Sequence, residues 1–204
     1  MDARTCETYP TLPKNKLIGK HNQINISNAA QFSLQLGIPE DLLNEAITDF
    51  EGIERRLEKV GSFRQMDVYD DYAHNPMKIE ATITALKEAY PQHAMHVIWR
   101  PHAFKSLSNQ FDAYLKLFHR FLQKANASLS LLPVYYAGGT VEAEKTSEDL
   151  SKELIKLGHS INLFSTYDDL HYYLMKNSTT SGLLLGMGAR DPQLPLFLRS
   201  LISC

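Results

Sequence analysis

The chain has 204 residues, 44% of them hydrophobic and 22% charged, which suits one packed domain plus a fragment of another. Its net charge of -2, from 21 Lys and Arg against 23 Asp and Glu, gives no electrostatic attraction to nucleic acid or an anionic membrane, so neither is expected as a partner. Cys6 and Cys204 lack CxxC spacing, no apolar run approaches the ~20 residues of a membrane span, and Met1 to Lys20 has no signal-peptide core. These features predict a soluble cytoplasmic protein with no zinc site.

Residues 1–18 include Pro10 and Pro13, show no clear period, and read as an extended or partly disordered lead-in. A helix is predicted from about Ser27 to Leu36, stopping at Gly37. A second begins at Pro39, carries Glu40 and Asp41 in its first turn, and places Leu43, Ala46, Ile47 and Phe50 on one face before Gly52. Strand and helix signals then alternate. Strands are expected at Leu57–Phe63, Met66–Tyr69, Met95–Trp99, Ser128–Leu132, Ile161–Phe164 and Leu183–Met187. The helices between them carry the apolar stripes Phe111, Tyr114, Leu115, Phe118, Leu122 and Leu150, Leu154, Leu157. A shorter helix, capped by Ser165 with Asp168 three residues on, contains Leu170, Tyr173 and Leu174; the last presents Leu194, Phe197, Leu198 and Leu201. The order predicts an α/β fold, a Rossmann-like, open and mostly parallel sheet with helices on both faces, preceded by a short helical segment.

The stretch Val68-Tyr-Asp-Asp-Tyr-Ala-His-Asn-Pro76 puts two carboxylates, a tyrosine and a histidine on one strand-to-helix turn. Pro76 suits the first helical position, and Ile79, Ile83, Leu86 and Tyr90 follow at helical spacing. Residues 70–75 therefore form a βα loop, at the carboxyl end of a parallel strand where α/β proteins bind ligands. Asp71 suits ribose hydroxyls, Tyr72 a base, and His74 a phosphate or a transferred proton. A purely local use is also open, and composition alone favours it: Asp70 and Asn75 as helix caps, Tyr72 as cover for the first turn.

The wording of this segment, Asp-Tyr-Ala-His-Asn-Pro before an amphipathic helix, resembles the signature of the Mur ligase family, ATP-dependent amide ligases that build the peptidoglycan stem peptide. Four further segments follow family order. Gly19-Lys-His-Asn-Gln-Ile-Asn25 is similar to the helix that closes the central ATPase domain, and Phe50-Glu-Gly-Ile-Glu-Arg-Arg-Leu-Glu58 to the inter-domain linker with paired arginines. Trp99-Arg-Pro-His102 and Leu132-Pro-Val-Tyr-Tyr-Ala-Gly138 resemble the branch that joins L-alanine to UDP-N-acetylmuramate and its relative that recycles murein tripeptide. The resemblance runs over about residues 17–190.

That resemblance implies a division into residues 1–54, the helical end of the central ATP-binding domain, and residues 55–204, the family's C-terminal domain. Asn22 and Asn25 would contact adenine, Arg56 an ATP phosphate, Asp71 the ribose and Tyr72 the base, with His74 as the catalytic group facing phosphates or the incoming amine. His21 reads equally as packing at its helix start, Arg55 and Glu54 as solvated hinge charges, and Lys78 as surface. His102, Lys105 and Arg190 would bind the amino-acid substrate. Ala103 and Ser106 stand where the L-alanine branch carries arginines, Lys105 replaces them only as a point charge, and Asn75 departs from that branch's second histidine. In Gly186-Met-Gly-Ala-Arg-Asp191, Arg190 either meets a ligand carboxylate or, in a tight strand-to-helix connection, pairs with Asp191 or a neighbouring acid. Gly138-Gly139 reads as a flexible loop.

The implied activity uses ATP and Mg2+ to activate a carboxylate of UDP-N-acetylmuramate for attack by the amine of an amino acid or peptide. The sequence contains no Gly-x-x-x-x-Gly-Lys-Ser/Thr phosphate loop. The chain alone is therefore expected to be inactive, as a piece of a longer ligase or the product of a shortened gene. The alternative is a non-catalytic module that binds a nucleotide or a partner. The apolar faces of residues 26–50, including Leu34, Leu43, Ile47 and Phe50, are expected to seek a partner, as in a homodimer.

Overall fold

The computed structural model describes residues 12–136, 138, 145–177 and 181–202. Most of the expected lead-in, both cysteines and Gly139 lie outside the described residues. The chain divides into two compact units, Met1–Gly52 and Ile53–Cys204.

The first unit is a helical pair, α1 (Lys20–Gln35) and α2 (Glu40–Asp49). Helix α1 begins at Lys20 rather than near Ser27. Gly19 turns the chain at φ 97°, and Asn22 Nδ2 donates to the Ile18 carbonyl at 2.8 Å. That polar first turn has no apolar stripe to announce it. Ile26 and Ala30 of α1 and Ile47 of α2 form a small core with Leu12, Leu17 and Leu43. Leu43 and Ile47 are thus engaged within the unit, contrary to the expectation that they seek a partner, whereas Phe32, Leu36, Leu42 and Phe50 are exposed.

The second unit is a six-stranded sheet, β1 (Glu58–Phe63), β2 (Met66–Asp71), β3 (Ala94–Trp99), β4 (Ala127–Leu131), β5 (Asn162–Leu163) and β6 (Gly182–Met187), in spatial order β1-β2-β6-β3-β4-β5. Among the described residues only β1, paired to β2 through a hairpin, runs antiparallel; the other strand pairings are parallel. Its helices are α3 (Pro76–Ala89), α4 (Phe104–Asn109), α5 (Phe111–Leu122), α6 (Ser147–Lys156), α7 (Tyr167–Asn177) and α8 (Gln193–Leu201). The open, mostly parallel α/β sheet predicted from the repeating pattern is the architecture observed.

Helices cover both faces. On one, Met66, Val68, Ile98 and Leu184 pack with Leu170 and Leu174 of α7 and with Leu194, Phe197, Leu198 and Leu201 of α8. On the other, Trp99 lies 4.7 Å from the Tyr114 ring and 5.1 Å from the Phe118 ring, centroid to centroid, and α5 packs against α3, α6 and β4. Strand β6 is buried along its whole length. A strand flanked by parallel neighbours and covered twice reads as the continuous apolar run Leu183-Leu-Leu185 rather than as an alternation.

Three local expectations change. The cap of α7 is Thr166, whose Oγ accepts from Asp169 N at 3.1 Å and donates to the Asp169 carboxylate at 2.7 Å, not Ser165 with Asp168. The register error arose because Ser-Thr and Asp-Asp are adjacent pairs offering the same spacing twice. Helix α4 was unanticipated, since six residues are too few to display a helical period. Strand β5 contracts to two residues at the sheet edge.

Gly186 faces α8 so closely that an added Cβ would collide with the Leu198 side chain. Gly186→Ala should cost about 1–3 kcal/mol through overpacking, read by equilibrium urea unfolding, with Leu198→Ala recovering part of that loss in the double variant. Additive losses would place the strain elsewhere. His96 accepts or donates at both ring nitrogens, to Ser128 and Ser130 at 2.8 Å each, and burial pushes it down to about 4. The unfolded chain therefore takes up this proton first. Stability should fall as pH drops from 6.5 toward 4, and His96→Gln should flatten that part of a thermal-unfolding pH profile.

Candidate active site

Strand β6 lies between β2 and β3, and its outgoing helix α8 covers one face while α3, leaving β2, joins α5 on the other. Loops that depart from neighbouring strands to opposite faces leave a crevice at the carboxyl ends, the general ligand position in open α/β sheets. Its walls are Tyr72–Asn75 after β2, Arg100–Ala103 after β3 and Gly188–Pro192 after β6.

The first wall is fixed by its own polar groups. Asp71 Oδ1 accepts from Ala73 N at 2.6 Å, and Asn75 Oδ1 accepts from Lys78 N at 2.9 Å, capping α3 as the local sequence suggested. Asp70 is no cap. It is fully buried at the end of β2, and burial pushes its carboxyl up to about 6 against the pull of Arg55. Arg55 Nε stands 3.3 Å from Asp70 Oδ2, too poorly aligned for a hydrogen bond. Its guanidinium lies 4.9 Å from the centre of the Tyr72 ring and donates to the Gly188 carbonyl. Arg55 is therefore a largely buried tie between two walls, not the solvated hinge charge expected. Arg56 is exposed beside it.

His74 Nδ1 donates to the Tyr72 carbonyl at 2.9 Å, which leaves Nε2 as the acceptor of the neutral ring. Tyr114 OH holds the His74 carbonyl at 2.7 Å. The His102 ring meets His74 edge to face at 5.0 Å. His102 Nδ1 is buried with no hydrogen-bond partner, and burial, then His74, then Arg190 push its proton affinity down. A neutral His102 is thus the form that the site favours.

The third wall begins at Gly188, where a Cβ would come within 2.8 Å of the Arg100 carbonyl; only glycine fits that approach. Arg190 follows, exposed, with φ 65°, and it forms no ion pair among the described residues. The alternative in which Arg190 pairs with Asp191 does not hold. Buried Asp191 receives Arg100 Nη1 at 2.9 Å, the Tyr167 hydroxyl, and Gln193 N at 2.9 Å. Arg100 also lies 5.4 and 5.3 Å from the Tyr135 and Tyr167 ring centres.

The structure thus brings Tyr72, His74, His102 and Arg190 to one crevice, with Asp71 buried beneath. Lys105 is exposed on α4, and Asn22 and Asn25 belong to the other unit, where Asn25 is exposed on α1. Sequence reasoning missed Arg55, Arg100, Tyr114 and Tyr167. Their signal is position: Arg100 is the first residue beyond β3, and Arg55 lies just before β1, where a charged side chain can reach a loop.

Residues 55–190 match the family described as Mur ligase, glutamate ligase domain. The chain belongs to the Mur ligase family and carries its C-terminal domain. It is 32% identical over 181 residues to a UDP-N-acetylmuramate–L-alanine ligase of Caldicellulosiruptor bescii, an alignment covering 87% of this chain and 38% of the relative. A ligase of the same name from Clostridium botulinum strain Hall is 29% identical over 199 residues, or 93% of this chain and 42% of its own. The chain thus spans about two-fifths of the length of these relatives. Among solved structures, the UDP-N-acetylmuramate-alanine ligase of Thermotoga maritima superposes with a TM-score of 0.70 at 22% identity, covering 94% of this chain and 39% of that one. A murein peptide ligase of Psychrobacter arcticus gives 0.57 at 18% identity, covering 92% and 38%. These two share the fold.

Asp191→Ala should destabilise the second unit by about 3–5 kcal/mol, because it strands the Arg100 guanidinium in a mostly buried site. Tyr167→Phe, which removes one donor, should cost ~1 kcal/mol. Urea unfolding of both variants tests the ranking, and equal small losses would show that the Asp191 network does not hold this turn.

Proposed function

We propose that this chain supplies the adenosine side and the amino-acid side of an ATP-dependent ligase that joins an amino acid or peptide to UDP-N-acetylmuramate. The observation that carries the proposal is the meeting of Tyr72, His74, His102 and Arg190 at the carboxyl-end crevice of a Mur ligase domain. The names of the relatives support L-alanine as the amino acid added.

The residues present fit part of ATP. The half-buried Tyr72 ring at the crevice suits the base, and the Asp71 carboxylate beneath it suits the ribose once the Ala73 amide has oriented it. Asn22 and Asn25 are proposed adenine contacts, and exposed Arg56 a phosphate contact. No phosphate loop is present in the sequence, and among the described residues no three His, Cys, Asp or Glu side chains are grouped to hold a metal ion. We therefore assign the triphosphate and Mg2+ to the phosphate-binding part of a full-length ligase. ATP would supply the phosphoryl group that activates the carboxylate.

The chain's own residues then have separate tasks. Arg190 and the His102 N–H hold an anionic group, with Lys105 as a nearby point charge. His74, its Nδ1 committed to the Tyr72 carbonyl, uses Nε2 to accept a proton from the incoming ammonium. Exposed Phe32, Leu36, Leu42 and Phe50 support a protein partner for the first unit, either the rest of a full-length ligase or a second copy.

Alone, the chain should form no amide from UDP-N-acetylmuramate and an amino acid. ATP should still bind at roughly millimolar affinity through its adenosine half, shifting backbone resonances at residues 71–74, with Tyr72→Ala abolishing those shifts. Wild-type protein whose resonances there do not move with ATP in excess would defeat the reading of this crevice as a nucleotide and amino-acid site.

A further inference from the structure

Arg55 lies three residues beyond Gly52, at the start of the second unit, and carries more connections than a linker residue needs. Its main chain is tied twice. Arg55 N donates to Glu58 Oε2 at 2.9 Å, and its carbonyl accepts from Tyr72 N at 2.8 Å. Its side chain reaches Asp70, the Tyr72 ring and the Gly188 carbonyl. Glu58 is held from the far side by Arg199 of α8 at 2.9 Å. All this is done from φ 58°, a left-handed backbone that an L-arginine adopts only when its surroundings require it.

We infer that Arg55 is a positioning residue, a clamp that sets the loop after β2 against the loop after β6 and ties both to the segment joining the two units. The inference rests on the crevice being the ligand site, because it assigns Arg55 the task of placing Tyr72 and Gly188 for the ligand rather than touching it. A turn of the joining segment that returned Arg55 to negative φ would release the Tyr72 amide, the Tyr72 ring and the Gly188 carbonyl together. The clamp transmits such a movement into the crevice.

Charge makes the clamp sensitive to pH. The charged groups facing Asp70 are Arg55 from the joining segment, Glu58 on β1 and Arg199 on α8. Both Asp70 oxygens lack a hydrogen-bond donor, so Arg55 is the main group favouring the carboxylate. Without it, ionised Asp70 is left buried and poorly compensated. The loss should therefore be small at pH 5, where Asp70 is mostly protonated, and large at pH 8.

Hydrogen exchange of the whole chain, followed residue by residue without any ligand, tests the clamp. In Arg55→Met, exchange of the Tyr72 and Gly188 amides should rise by about tenfold at pH 8 and much less at pH 5, while amides of β3 and β4 hold. Arg55→Lys should remove the excess loss at pH 8 over pH 5, since it restores the charge, but should not recover the full protection at Gly188, since it lacks the fork. Should Arg55→Met fail to fold at pH 8, the double variant Arg55→Met with Asp70→Asn removes the stranded charge and should fold with both loops still loosened. Unchanged exchange at Tyr72 and Gly188, or a loss equal at both pH values and spread over the sheet, would overturn the clamp. Because no nucleotide is used, the clamp can stand even if ATP leaves the wild-type crevice unmoved.

Discussion

The insertion of β6 between β2 and β3 is the constraint on which the second unit depends. A strand with parallel neighbours on both sides and helices on both faces has no solvent side, so Gly182–Met187 must be apolar throughout and small where a neighbour comes close. Gly186 yields to Leu198 on α8, and Gly188 yields to the Arg100 carbonyl of the adjoining loop. The same insertion forces the chain leaving β6 to one face while the chain leaving β2 goes to the other. The crevice is thus a product of topology, and its residues are those that happen to stand at three strand ends.

Strain and unsatisfied polarity gather at those ends. Arg55, Ala103 and Arg190 all hold positive φ without being glycine, a conformation costing of order 1 kcal/mol each. Asp70 Oδ1 and Oδ2, Arg100 Nε and His102 Nδ1 are buried without hydrogen bonds. A fold built only for stability would place glycine at the turns and apolar side chains in the buried positions. The helices behind the crevice carry the compensation, in the close ring packing of Trp99, Tyr114 and Phe118 and the long apolar contact of α8.

Most of the second unit was legible because its signals are periodic. Strand runs and helical stripes recur often enough to fix element order, and the Pro76 start of α3 was written in the local sequence. What was lost is what lacks a period. The six residues of α4 and the two of β5 are too few to show one, and the polar opening of α1 carries no apolar stripe, so only the family resemblance of residues 19–25 marked it as helix. At the site, the βα loop was legible because its chemistry is contiguous in sequence, although Asp70 and Asp71 belong to β2 and the loop itself is residues 72–75. The Arg55 tie to Gly188 and the Arg100 pair with Asp191 were not, since each joins residues about a hundred positions apart and no short window contains both partners.

That separation explains why Asp70 and Arg55 were misread while Asn75 was read well. A cap is satisfied by a residue three positions away, so sequence alone can propose it. A buried carboxylate needs a cation brought by the fold, and nothing in the local sequence marks Asp70 rather than Asp71 as the one that is given it. The pleat of β2 tells them apart. Successive side chains point to opposite faces, so Asp70 meets Arg55 and Arg199 on the α8 side while Asp71 closes the turn to Ala73. With Asp70 buried beside Arg55 and Asp191 held by Arg100, Tyr167 and Gln193, these two carboxylates are turned inward. Among the described residues, Tyr72, His74, His102 and Arg190 stand at the mouth, and these aromatic and basic side chains give that part of the crevice an electrostatic character that the chain's near-neutral composition does not announce.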